Sequence, residues 1–156
     1  MKFITFLSVF FVFSVAADVP DDKFFRALHL QESSGQVAPA PGDNGQSHGP
    51  LMIKQCVLDD VNETFHTHYT LADDEANLDV SKDVARKYLA RYATAKRLGH
   101  EPTYEDMARI WNRGPYGCFD NGAINRFGTK TKKDWQKLAQ RQREAVRYWN
   151  QFKTKL

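Results

Sequence analysis

Cysteine is scarce here: two residues, Cys56 and Cys118, in a chain of 156. Two thiols allow one disulfide at most, and no surrounding feature marks either as a reactive nucleophile. Long apolar runs are missing after residue 17, so no later stretch is built to cross a bilayer. A large net charge is missing as well. The chain holds 22 basic against 19 acidic residues, a net +3, too slight an excess to argue for nucleic acid as a partner. The five histidines are scattered. His66-Thr67-His68 is the nearest thing to a metal pair, and a zinc site takes three or four ligands. Neither a metal nor a cofactor is expected. There is no internal repeat.

The one apolar run opens the chain. Lys2 supplies a positive start, Phe3 to Val15 an apolar core, and Ala16-Ala17 small residues for cleavage, the layout of a secretory signal. The expectation is a signal over 1–17 and a secreted, extracellular domain over 18–156, soluble, monomeric and without an integral membrane segment once the signal is removed. The remaining ~139 residues suit one domain with one core. In an exported chain, Cys56 and Cys118 read as a single disulfide. Closing a loop of roughly 62 residues would add about 4 kcal/mol through the unfolded state in the chain-entropy model. Asn62-Glu63-Thr64 fits a glycosylation acceptor, a triplet that also arises by chance.

Periodicity predicts a mainly α fold, in the α+β class, with a small irregular or β region. A first helix is expected over Asp21 to Ser33, with Phe24, Phe25, Leu28 and Glu32 on one face. Gln36 to Pro50 reads as a loop or small hairpin. A second helix is expected from Leu51 to about Thr64, and the acidic run Ala72 to Asp79 as a solvated connection. Ser81 is placed to cap a long helix that stops at Gly99. Pro102-Thr103 opens another helix, with Asp106 completing a capping box and Gly114-Pro115 ending it. Phe119 to Lys133 reads as a loop. The last helix spans about Lys132 to Phe152, burying Trp135, Leu138, Ala139, Val146, Trp149 and Phe152. Its outer face carries Lys137, Arg141, Arg143 and Arg147, read first as solvated and second as a patch for anionic wall or membrane.

Two acids stand apart. Glu32 falls in the last turn of the first helix, on the side that faces the core. Loss of water there raises a carboxyl pKa, and the negative helix end pushes the same way. Asp43 lies in Gly42-Asp43-Asn44-Gly45, a wet turn rich in backbone donors, and should stay ionised. Singly, each is more simply a helix-boundary residue and a turn former. Together they are the pair that cutting a glycosidic bond requires: an acid for the leaving oxygen and an anion for the sugar carbon.

Ser47-His48-Gly49-Pro50-Leu51-Met52-Ile53-Lys54 follows this pair. Met107-Ala108-Arg109-Ile110-Trp111-Asn112-Arg113-Gly114-Pro115-Tyr116-Gly117-Cys118 comes later. With Glu32 and Asp43, these segments resemble the lysozyme-like superfamily, most closely the invertebrate-type, destabilase-related lysozymes, over roughly residues 22 to 118. Met52 stands where that branch usually has Gln, Trp111 where it has His, Arg113 where it has Gly and Tyr116 where it has Asn. The branch is also richer in cysteine. The resemblance implies a lysozyme-like domain and hydrolysis of the β-1,4 bond between N-acetylmuramic acid and N-acetylglucosamine in bacterial peptidoglycan. By the same resemblance Glu32 is the general acid and Asp43 the nucleophile or charge stabiliser, with retention of configuration. Ser47, His48, Gly49, Pro50, Trp111, Asn112, Gly114 and Pro115 would shape the sugar site. Two other readings stay open: a non-catalytic binder of peptidoglycan or chitin that perturbs bacterial surfaces, and an isopeptidase, for which Ser47 is the sole candidate nucleophile and no base is evident.

Overall fold

The first helix begins where its cap is. Asp21 has extended backbone, and its Oδ1 accepts the Phe24 amide at 2.9 Å, satisfying one of the donors a helix start leaves open. Helix α1 then runs Asp22–Ser33 and ends on Ser34 in the left-handed region. The computed structural model describes residues 20–115 and 132–156, with side chains of the last helix from 139 onward. The signal expected over 1–17, Cys118, nearly all of the loop expected over 119–133, and the side chains of Trp135, Lys137 and Leu138 lie outside the described residues.

After α1 the chain turns through Gly42 to Gly45 into a two-stranded antiparallel hairpin, β1 (Ser47–His48) and β2 (Ile53–Lys54). Ser47 pairs with Lys54 and His48 with Ile53, and Gly42 bridges to Ser47. The helix expected from Leu51 therefore starts late. Leu51 and Met52 belong to the hairpin turn, and Lys54 is still extended when α2 (Gln55–Phe65) begins. Local apolar periodicity loses here to strand pairing, which supplies backbone hydrogen bonds to residues 47–54.

The acidic connection is a second correction. Thr70 and Asp73 form a reciprocal capping box, and Leu71–Asp74 is a short helix, α3, whose last residue is completely buried. Helix α4 (Leu78–Tyr92) is capped by Asn77, whose Oδ1 takes the amides of Asp79 and Val80. Ser81 is inside α4, not before it. Its hydroxyl is engaged by the Asp74 carboxylate and the Asn77 carbonyl, so it has no capping role. Nor is the helix continuous to Gly99. It breaks at Ala93, Thr94 adopts extended backbone, and a separate turn α5 (Ala95–Leu98) ends on Gly99 at φ 83°.

Helix α6 (Tyr104–Arg113) follows its sequence closely, with the Thr103–Asp106 capping box at one end and Gly114 at the other. Helix α7 (Lys132–Phe152) closes the fold and passes into a 3₁₀ turn, Lys153–Lys155. Its buried stripe is Ala145, Tyr148 and Phe152; Val146, expected inside, is 44% exposed. Positions 145, 148 and 152 share a helical face, and 146 is a hundred degrees round from 145. Arg141, Arg143 and Arg147 are exposed.

Seven α-helices and one small sheet thus lie among the described residues. One core joins the first helix to the last. Phe24 packs on Phe25, Tyr104 and Phe152 with ring centroids 5.8, 5.6 and 5.1 Å away. Leu51, Ile53, Leu58, Val84, Met107 and Ile110 continue it beneath the hairpin, α2, α4 and α6. No helix among the described residues is long and apolar enough to cross a membrane.

Candidate active site

A cleft of about 560 Å³ opens where α1, the hairpin, α2, α4 and α6 meet. Glu32 and Asp43 both line it, one from α1 and the other from the turn before the hairpin. Ser47, Trp111, Asn112 and Gly114 are also in its walls, as are Gly42, Met52, Lys54, Cys56, Tyr88 and Arg113.

Glu32 reaches the cleft because α1 presents it one turn beyond Leu28, a residue buried in the core. Its carboxyl is pushed up to about 7. Loss of water is the main cause, opposed by a hydrogen bond from Tyr148 and reinforced by the negative charge of Asp43. The Tyr148 hydroxyl donates to Glu32 Oε1 at 2.5 Å, and burial holds that phenol well above its ordinary pKa, so it remains a donor. Desolvation outweighs the hydrogen bond, which leaves a carboxylic acid protonated through mildly acidic pH.

Asp43 is held in the opposite state. It sits in the turn at φ 49° with its side chain 60% exposed. Lys54 Nζ lies 2.5 Å from Oδ2, and Ser47 Oγ donates to the same oxygen at 3.3 Å. The Lys54 hydrogen bond and charge lead in pulling its pKa below the usual carboxylate range; Ser47 and the charge of Arg113 add to them. The register Ser47–Lys54 is what brings the lysine across to the turn. The ionised state was expected of this residue, from a different cause: a cross-strand lysine supplants the backbone donors.

Four residues expected in the sugar site fall outside the cleft lining. His48 faces away, with Nε2 donating to the Gly45 carbonyl at 3.0 Å and Nδ1 3.4 Å from Glu75 Oε1. Gly49 and Pro50 are buried in the hairpin turn. The Pro115 carbonyl accepts from Arg97 at 2.7 Å. Cys56 is exposed at the cleft and its expected partner Cys118 lies outside the described residues. Asn62 has its amide engaged: Nδ2 donates to the Tyr69 carbonyl at 2.9 Å, and Oδ1 accepts from the Tyr69 amide and Thr67 Oγ1. It ties down the turn after α2. No group of three His, Cys, Asp or Glu residues among the described residues is placed to hold a metal.

Lys54, Arg113 and Tyr148 are the site residues sequence reasoning did not assign. Lys54 had a signal, since a hairpin centred on Gly49-Pro50 sets it opposite Ser47. Arg113 stood in the quoted segment as a departure, within the stretch 112–117 expected to help shape the sugar site, but with no role of its own. Tyr148 had none, being 116 residues from Glu32 in sequence.

In comparisons with known proteins, no family model matches the chain and no curated protein is significantly similar to it.

Proposed function

We propose that this chain is a secreted muramidase that hydrolyses the β-1,4 bond between N-acetylmuramic acid and N-acetylglucosamine in peptidoglycan. One observation carries the reading: a single cleft holds a desolvated, protonatable carboxyl, Glu32, and an ionised one, Asp43. Environments that push two acids apart assign their roles. Glu32 gives its proton to the glycosidic oxygen as the bond to the anomeric carbon breaks. Asp43 stabilises the oxocarbenium-like centre or bonds to it, and water then delivers hydroxide to that carbon while its proton returns to Glu32. The resemblance to invertebrate-type lysozymes supplies the substrate.

A second reading has one observation in its favour. Asp43 is already paired with Lys54 at 2.5 Å, a contact that occupies the carboxylate a cutting reaction needs and so suits a cleft that grips a glycan without cutting it.

Clearing of a cell-wall suspension by the purified protein, beside Glu32→Gln, separates the two. Loss of a general acid costs about 10²- to 10⁴-fold, so the wild type should clear the suspension and the folded variant should not. The wild-type rate should fall as pH rises through about 7, where Glu32 loses its proton. Wall binding by both proteins with clearing by neither would sink the muramidase reading in favour of the binder.

A further inference from the structure

The terminal helix lies outside the segments that resemble lysozymes, yet it enters the site twice. Glu144 Oε2 pairs with Arg113 at 2.7 Å, and Arg113 lines the cleft and acts on Asp43 through its charge. One turn later, Tyr148 donates to Glu32 Oε1. Residues four apart share a helical face, so α7 backs two cleft-lining side chains at once, Arg113 through Glu144 and Glu32 through Tyr148. We propose that α7 completes the active site, with Tyr148 as a positioning residue that holds the Glu32 proton on Oε2, and Glu144 as the residue that fixes Arg113 beside Asp43.

The chemistry follows from donor and acceptor roles. A phenol that donates to Oε1 occupies a lone pair on that oxygen, which favours placing the carboxyl proton on the other one. Oε2 accepts no hydrogen bond among the described residues. The leaving oxygen would then meet the proton at Oε2. Once the proton has gone, the same phenol stabilises the carboxylate left behind, because hydrogen bonds to ions are stronger than those to neutral groups. Tyr148 is itself rigid. It is 8% exposed, its ring lies 6.2 Å from Phe152, and Phe152 sits 5.1 Å from Phe24 of α1. Donor and acceptor therefore hang from the two ends of one packed aromatic cluster, with the phenol buried before any substrate arrives.

The proposal rests on the muramidase reading, and its test has a readout independent of hydrolysis. The Glu32 carboxyl would be titrated by carbon NMR in glutamate-labelled wild type and Tyr148→Phe, and the pH–rate profile of each measured on cell walls. Loss of the phenol should raise the Glu32 pKa by about one unit. The alkaline limb should move up with it, and the plateau rate should drop about ten-fold because the carboxylate left on Glu32 after proton transfer loses a donor. Placing 3-fluorotyrosine at position 148 provides a second variant of the opposite sign: a more acidic phenol donates more strongly and should lower the pKa. A residue with only a packing role would change thermal stability and leave both titrations where they were, which would overturn the proposal. Normal coupling in the NMR titration with no hydrolysis by the wild type would instead overturn the muramidase reading, and the catalytic sense of the proposal with it.

Discussion

Glu32 works against the fold that holds it. Its carboxyl titrates near 7 in the folded chain against an ordinary 4.5, so the folded state binds the proton more tightly than the unfolded one. Stability from this group is complete below pH 4.5 and is lost as pH rises through 7. Glu32→Gln removes the titration while leaving an amide oxygen to accept from Tyr148. The variant should match the wild type near pH 4 and exceed it at pH 8 by about 3 kcal/mol, the linkage value of a shift of this size. Thermal melts at the two pH values check it. A variant equally stable or weaker at pH 8 would mean the carboxyl is not desolvated, and the general-acid role would lose its physical basis. Asp43 shows the converse. Exposed and paired with Lys54, it keeps its charge at little cost to folding, since surface ion pairs contribute about 0–1 kcal/mol.

The hairpin is the element that sets Asp43 and Lys54 against each other, and its turn depends on Gly49. That residue has φ +68°, and a Cβ there would stand 2.6 Å from the Asp74 carbonyl oxygen and closer still to its carboxylate. Asp74 cannot retreat, because it is fully buried with Ser81 bonded to Oδ1. Gly49→Ala should therefore cost about 2–4 kcal/mol, combining left-handed strain with overpacking, and, on the proposed function, should lower wall clearing by disturbing Asp43. Chemical denaturation gives the first number. A loss under about 1 kcal/mol would show that hairpin and α3 can slide apart. This contact also marks where sequence legibility ends. Helix α6 could be read outright because its signals are local: Thr103, Asp106 and Gly114 lie within or beside the helix they bound. Glu32 and Asp43 were legible for the same reason, one from helical spacing and one from a glycine-bracketed turn. The burial of Asp74 was not, since it is imposed by Gly49 from another element, and neither was the Tyr148 bond, since nothing local to residue 148 points to Glu32. Val146 misled because an apolar residue beside a buried stripe looks like part of it until a partner helix chooses the face.

At the scale of the molecule, the acids with shifted pKa values among the described residues fall into two groups that pull stability in opposite directions. Glu32 and Asp74 are raised, to about 7 and about 6, chiefly by loss of water. Asp21, Asp83 and Asp106 are lowered despite whatever burial they have, by Tyr104 and the Phe24 amide for the first, Lys87 and Tyr69 for the second, and Thr103 and His100 for the third. The raised pair favours the folded state fully below their unfolded values of 4.5 and 3.8 and progressively less as pH climbs through 6 and 7. The lowered group stabilises above 3.8 and fades as pH falls below it. Only between these windows do both groups favour folding. The melting temperature should therefore rise as pH drops from 8 to about 5, reach its maximum near pH 4–5, and fall steeply in stronger acid. Calorimetry from pH 3 to 8 tests this directly. A melting temperature flat between pH 8 and 5 would mean that neither Glu32 nor Asp74 is held neutral by the fold. A rise that vanishes in Glu32→Gln would assign it to the cleft alone. A rise that persists at reduced size would apportion the remainder to Asp74 under the hairpin, so that protonation of Glu32 and rigidity of the turn carrying Asp43 would strengthen together as the medium acidifies.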